Sequence, residues 1–491
     1  MIPMASNVER CDLSPDLSIS RVLTGLWQVA DMERDGRQVD LDRAAAAMQR
    51  YAEAGLTTFD MADHYGSAEV IAGRFRSHAP QQAAQLFTKW VPKPGRVPAA
   101  DVLAAVERAR MRLGVAAIDL LQYHAWNYAD PSWLETLFDL QALKAQGLVR
   151  HLGLTNIDTA HLRVAVASGI DVVSNQVSFS LLDQRAAGGL VPFCVEHGVQ
   201  LLAYGTLAGG WLTDRWLGAP EPDWERLPTW SLMKYGRFLR VAGGWSALQR
   251  VLKAAASVAA RHGVSIANVA SRYVLDQPGV AGIIIGARLG EREHIEDTLR
   301  LFSLVLTDRD RVEIGDAVAT LRPIPGDCGD EYRRPPFLTA SGDLSHHLDS
   351  MPAPYQTVAR DGGRTLCLSG TTWERVAGFA RAVRQGARVI VSGTTATIGN
   401  RVVGGSDPVA QTHFVIDKIE GALQSLGATL ADVIGTRVYV RHLADWEPVA
   451  KAHGARFGAI QPANTLVVAE LVGEAYLVEI EAEAQVRGEA E

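Results

Sequence analysis

Cysteine is scarce in this chain: Cys11, Cys194, Cys328 and Cys367 are four among 491 residues, with no Cys-x-x-Cys spacing. That pattern supports neither a disulfide framework nor a thiolate zinc site, and leaves the thiols to pack as small apolar groups. Long hydrophobic runs are missing too. The longest apolar stretches have strand length, and the first ten residues hold no signal-peptide core, so the cytoplasm is expected and no membrane partner is. Basic runs are absent, and a formal charge of −7 gives nucleic acid little to bind. No His-Glu-x-x-His or comparable cluster marks a metal, and no Gly-x-Gly-x-x-Gly stands at a strand-to-helix turn.

What the chain does have is alternation. With 47% hydrophobic residues it can bury a large core, and more than one. Between about residues 20 and 305, short apolar runs at 22–27, 57–60, 86–88, 120–124, 151–155, 172–176, 201–204 and 282–285 alternate with amphipathic stretches at 41–54, 99–113, 132–145, 159–168, 190–197 and 248–261. Eight strands separated by helices imply parallel pairing, and eight is the number at which such a sheet closes into a packed (β/α)8 TIM barrel. A doubly wound sheet is the competing topology, disfavoured by the missing glycine fingerprint. Prolines at 323, 325, 335, 336, 352 and 354 mark residues 323–354 as an extended arm. It separates a first unit, 1–322, from a second, 355–491, whose strand-like runs at 388–392, 435–440, 466–469 and 476–480 and helical run at 409–426 suggest a small α+β module.

A barrel places the carboxyl ends of its strands around one mouth, so Asp60, Lys89, His124, Asn156, Gln176, Tyr204 and Arg288 should converge there. Tyr65 follows the same strand as Asp60. A phenol with a pKa near 10 is a poor acid at neutral pH, and lowering it by two to three units takes roughly 3–4 kcal/mol. An ammonium about 4 Å away supplies about that at an effective dielectric near 20, and only about 1 kcal/mol in water. Lys89 is therefore expected to lower Tyr65 in a shielded site, with Asp60 holding Lys89 charged and His124 orienting a carbonyl oxygen. Each of these residues taken singly has an ordinary structural explanation; their order at successive strand ends favours chemistry. The segment 205–245, with Trp211, Trp216, Trp224, Trp230 and Trp245, is long for a strand-to-helix connection and is expected to wall a substrate pocket.

The Phe-Asp-x-x-x-x-Tyr-Gly stretch at 59–66, Thr88-Lys89 and His124 resemble the motifs of the aldo/keto reductase family, a likeness running from about residue 20 to 345. The resemblance implies a catalytic tetrad of Asp60, Tyr65, Lys89 and His124, with Tyr65 the acid in reduction and the base in oxidation. It further implies a nicotinamide site: Thr155, Asn156 and Gln176 at the carboxamide, Tyr204 under the ring, Gly205, Thr206 and Leu207 at the pyrophosphate, and Gly286, Arg288 and Asp297 at the adenosine phosphate. Trp27 resembles the family's substrate-pocket tryptophan. Arginine's fork suits a 2′-phosphate, which points to NADP(H), with NAD(H) the alternative. The substrate implied is a small carbonyl compound or a sugar.

Residues from about 355 to 488 resemble the Rid (YjgF-like) family, on Val391-Ser392-Gly393-Thr394, Val438-Tyr439-Val440, Gln461-Pro462-Ala463-Asn464-Thr465 and Val478-Glu479-Ile480-Glu481. The implied fold is Rid/chorismate-mutase-like and the implied assembly a homotrimer. Glu479 matches the family's acidic position. Deaminating members carry arginine where this chain has Asn464, which offers hydrogen bonds without charge. Three functions follow: a carbonyl–alcohol oxidoreductase with an assembling or metabolite-binding second domain, a fused imine deaminase and carbonyl reductase, or a cofactor-sensing scaffold without catalysis.

Overall fold

The computed structural model describes residues 8–347 and 351–486. Residues 1–7, part of the stretch without a signal-peptide core, 348–350 within the proline-rich segment, and 487–491 at the end of the second unit lie outside the described residues. Eight parallel strands close a barrel: β1 (Val22–Gly25), β2 (Thr58–Asp60), β3 (Gln85–Trp90), β4 (Ile118–Tyr123), β5 (Val149–Thr155), β6 (Val172–Ser178), β7 (Gln200–Tyr204) and β8 (Val280–Gly286), which returns to β1. All eight strands expected from the sequence are there. The first ends early, because the Leu26 amide bonds the Asp60 carbonyl at 2.9 Å and the chain turns into the short helix Trp27–Met32. Leu23, Phe87, Leu120 and Leu202 fill the barrel interior, and Leu13, Leu17 and Ile19 of the hairpin Arg10–Ser14/Leu17–Ser20 complete that cluster.

Local chemistry sets the surrounding helices. Asp40 caps Leu41–Glu53 by accepting from the amides of Asp42 and Arg43, and that helix buries Ala44, Met48 and Tyr51 at helical spacing. Pro98 precedes Ala99–Leu113, which stops at Gly114 with φ 64°. Among the described residues no helix is long and apolar enough to cross a membrane. All four cysteines are free, three of them buried.

Two expectations about loops are corrected. The segment 205–245 does reach the mouth, through Lys234 and Tyr235, and not through Trp211, Trp216, Trp224 and Trp245. These tryptophans pack on one another, tilted or edge-on, with Trp211 and Trp216 centroids 4.6 Å apart; Trp211 and Trp216 belong to a separate core cluster, and Trp224 and Trp245, the latter on the helix Gly244–His262, lie half-buried against it. Large rings gain more by mutual burial than by lining water. The segment from 323 is no free arm either. Asp330–Arg333 forms a helical turn across the barrel mouth, with Cys328, Glu331, Arg333 and Leu338 buried. Side chains hold it where backbone pairing does not: Arg333 donates to the carbonyls of Ala125 (2.8 Å) and Asn156 (2.6 Å), and Glu331 pairs with buried Arg185 at 2.8 Å.

The second unit is a seven-stranded sheet in the order Gln356–Arg360, Arg364–Leu368, Ala382–Gln385, Arg388–Thr395, Val478–Gln485, Val433–Val440, Ala463–Val468. Two long helices, Pro408–Ser425 and Trp446–Phe457, and the short Thr372–Ala377 belong to this unit. The first of them also packs on the barrel helix Thr159–Ala167. There His161 lies between Asp158 (2.6 Å) and Asp417 (3.0 Å), Arg456 bonds Asp417 at 2.5 Å, and Tyr128 stacks on the imidazole at 3.4 Å between centroids. The two units share this buried ionic chain.

Candidate active site

The turn after β2 is built by the backbone. Met61 and Asp63 donate to the carbonyls of Phe87 and Lys89 on β3, both at 2.9 Å, which carries the chain over the barrel rim and leaves Tyr65 above it. Lys89 Nζ meets Asp60 Oδ2 at 2.6 Å, and both side chains are 4% exposed. The other carboxylate oxygen of Asp60 accepts from Gln122 Nε2 at 3.0 Å and Gln176 Nε2 at 2.8 Å, so the acid is fully paired and cannot swing. Lys89 Nζ is 5.0 Å from the centre of the Tyr65 ring. His124 stands just past β4, with Nδ1 3.4 Å from the Thr155 carbonyl and its ring edge-on to Trp126. Four ionisable groups from three neighbouring strand ends thus meet at one mouth.

Their electrostatics differ from the expectation. Burial first, then the Asp60 carboxylate, pushes the Tyr65 phenol well above its ordinary range; Lys89 does not lower it. Burial likewise lowers Lys89, against the pull of Asp60. The reason is the tight ion pair: an ammonium 2.6 Å from a carboxylate presents a dipole to the phenol, not a free positive charge. Tyr65 therefore rests as a neutral phenol.

The residues expected around a nicotinamide do converge, although several hold one another. Gln176 is spent on Asp60 and Gln122, and Thr155 Oγ1 donates to the Gln176 carbonyl at 3.2 Å. Asn156, at φ 58°, accepts from the Tyr204 hydroxyl at 2.7 Å, and among the described residues nothing takes its amide nitrogen. Gly205 (φ 75°), Thr206 and Leu207 form the turn into Ala208–Gly210, and a Cβ on Gly205 would strike the Tyr235 ring. Gly286 ends β8 in the open beside Gln28. Arg288 is engaged by Asp31 (2.8 Å) and Glu291 (2.9 Å). Asp297 does not join it; its carboxylate holds Ser265 (3.0 Å) and Asn268 (3.3 Å) at the start of helix Ile266–Leu275. Trp27 lies at the mouth, 6.0 Å from Lys234 Nζ.

Lys234, Tyr235 and Tyr332, which also reach the mouth, had no strand-end signal in the sequence: two sit on the helix Trp230–Ala242 and one on the segment after 323. Gly329 (φ 87°) lets that segment press against β5, since a Cβ there would land on the Asn156 carbonyl and the Arg333 guanidinium. Gly329→Ala is expected to cost at least about 1–2 kcal/mol from the left-handed backbone alone, read as a lowered denaturation midpoint.

In the second unit, Asn464 and Glu479 are not brought together within one chain. Asn464 pairs in register with Thr436, whose hydroxyl it accepts at 3.2 Å beside His453. Glu479 pairs with Tyr439, three residues on and hence on the opposite face. Burial raises the Glu479 carboxyl, with Arg381 working against it.

A closed parallel barrel with an aspartate–lysine pair, a phenol and an imidazole at its carboxyl-end mouth is the architecture of a barrel oxidoreductase. The chain belongs to the aldo/keto reductase family, whose model matches residues 21–318, and its second unit is a Rid/L-PSP domain, matched over 369–486 by the model described as Endoribonuclease L-PSP. It is 40% identical over 117 residues to an uncharacterized protein of Streptomyces coelicolor, covering 24% of this chain and 87% of that protein. It is 24% identical over 318 residues to the NADH-specific methylglyoxal reductase of Escherichia coli, 60% of this chain and 93% of that one. Glycerol dehydrogenase of Gluconobacter oxydans shares the fold, with a TM-score of 0.53 at 23% identity over 66% of this chain and 98% of that chain.

Proposed function

We propose that the protein interconverts an aldehyde or ketone, or an aldose, and the corresponding alcohol with a nicotinamide cofactor. The observation that carries this reading is the buried Asp60–Lys89 pair at 2.6 Å with the Tyr65 ring 5.0 Å from the ammonium and His124 on the same rim. A reduced nicotinamide, when bound, would supply hydride; Tyr65 hands its proton to the carbonyl oxygen, which His124 orients. The phenolate left behind faces Lys89, whose attraction the Asp60 carboxylate 2.6 Å from it cuts well below the about 3 kcal/mol that a lone ammonium would give at 5 Å and a dielectric near 20. Oxidation runs the same groups in reverse, with the phenolate as base. Thr155 and Asn156 fit a carboxamide, Asn156 through its unspent amide nitrogen, and Tyr204 offers a ring face. Gly286, exposed at the end of β8, leaves its backbone open to a phosphate; the turn Gly205, Thr206 and Leu207 is packed against Tyr235 and would offer backbone amides alone. We assign the Rid/L-PSP domain to homotrimeric assembly or small-metabolite binding; the neutral Asn464–Thr436 pair, in place of a cation, speaks against deamination of a carboxylate-bearing imine.

The test is cofactor absorbance across aldehydes, ketones and aldoses with both nicotinamides. Cofactor binding without oxidation or reduction of any of them would support a non-catalytic role instead. Ammonia release from an imine that survives Tyr65→Phe would add deamination. Arg288 also bears on cofactor choice. A 2′-phosphate must compete with Glu291, so its gain is that of a partly exposed ion pair, up to about 1 kcal/mol. We expect a preference for NADPH over NADH of no more than about fivefold, abolished in Arg288→Ala and read from the ratio of kcat/KM values.

A further inference from the structure

Lys234 projects from the helix Trp230–Ala242 into the barrel mouth and is only 6% exposed. Its Nζ lies 4.8 Å from the ring centre of Tyr204, 4.9 Å from Tyr332, 5.2 Å from Tyr235 and 6.0 Å from Trp27. Among the described residues its one hydrogen bond is to the Tyr332 hydroxyl, at 2.6 Å, and no carboxylate lies within 4.0 Å. Two of its three N–H groups are unspent. Burying an ammonium without a partner carries a large desolvation penalty and favours loss of the proton. Here the charge is held from behind. Arg185 faces two carboxylates, Asp183 and Glu331, each at 2.8 Å, which leaves one surplus negative charge in the cluster without occupying the lysine's donors. Burial works against the ammonium, while Tyr235 and Tyr332, once ionised, and Glu331 raise Lys234 above its ordinary range; near neutral pH the anion among them is Glu331.

We propose that Lys234 anchors a carboxylate on the carbonyl substrate, the aromatic rings bracketing the substrate while Tyr65 and His124 take its carbonyl end. This rests on the reductase reading and names its substrate class. The placement supports it: the lysine's partner Tyr332 stands edge-on to His124 at 5.7 Å, on the tetrad side of the mouth, whereas Arg288 is tied to Asp31 and Glu291 beyond β8.

The experiment compares 4-carboxybenzaldehyde with 4-formylbenzamide, a neutral analogue of the same shape, on full-length protein and on Lys234→Met. The acid should be preferred by about tenfold or more through KM in the parent, as a charged hydrogen bond requires. In Lys234→Met that preference should vanish, with KM for the amide and for the cofactor unchanged; Lys234→Arg should restore part of it. Equal use of the two aldehydes by the parent overturns the proposal. So does a Lys234→Met variant that loses cofactor affinity while keeping its discrimination, which would give the lysine to the cofactor. Should neither aldehyde be reduced, the reductase reading fails first, and calorimetric titration with benzoate and benzamide then decides on binding alone. Benzoate binding lost in Lys234→Met upholds the anchor; absence of benzoate binding to the parent overturns it.

Discussion

Tyr65→Phe is expected to lower turnover by about 10²–10⁴ while leaving cofactor affinity essentially unchanged. The substitution removes one oxygen from a ring that packs at 4.8 Å against His64 and 5.0 Å from Lys89, so the packing survives and the proton does not. The loss should fall on kcat. In the proposed role Tyr65 would form its strongest interaction with the substrate oxygen only as charge develops there, and such interactions raise kcat and not ground-state binding. The resting phenol is held high by burial and by Asp60, so reduction should not lose its acid on the alkaline side within the range where the protein stays folded. Tritration of kcat against pH together with equilibrium cofactor binding checks both parts; a Tyr65→Phe protein with parental kcat removes the phenol from the chemistry.

The barrel was legible because most of its strands announce themselves twice, by β-rich runs and by a polar or ionisable residue at or just past the carboxyl end. Asp60, Lys89 and His124 needed only strand order to be placed together. Lys234 and Tyr332 were not legible, since a lysine on an amphipathic helix and a tyrosine in a proline-rich segment have many ordinary settings, and only long-range packing brings them to the mouth. The tryptophan-rich stretch misled for a related reason: aromatic content reports burial, not which cavity the rings bury. The proline-rich arm misled because composition speaks to backbone pairing, whereas Glu331 and Arg333 order that segment through side chains. Electrostatic direction was harder still. Pairing Lys89 with Asp60 was read correctly, but the distance at which the pair cancels its own field exists only in three dimensions.

Asp417→Ala should cost about 3 kcal/mol of stability at neutral pH, because it leaves two buried cations, His161 and Arg456, sharing only Asp158 and the partly exposed Glu420. Asp417 is fully buried, between His161 Nε2 at 3.0 Å and Arg456 at 2.5 Å, and Asp158 takes the other imidazole nitrogen. The two carboxylates raise His161 from 6.5 to about 9 despite its burial, while Arg333 and Arg456 stand beyond them and His413, driven down to about 4, stays neutral. A histidine raised on folding contributes fully below its unfolded value and loses that contribution as pH climbs through the folded one. The link between the two units should therefore weaken by roughly 3 kcal/mol as pH rises from about 6.5 past about 9. Asp158 and Asp417 have the opposite sign: lowered on folding, they contribute above the ordinary carboxylate range and fail as pH falls below it. Calorimetry across this range should show the units unfolding together near neutrality and separately in mild alkali, with Asp417→Ala already separate at neutral pH. A single transition that is unmoved between pH 7 and 10, and unaltered by the substitution, would show that His161 does not join the units. Because Asp158 caps the helix that begins three residues past Asn156, whatever loosens this junction also loosens the loop offered to the nicotinamide, so a rise in cofactor KM should accompany the separation.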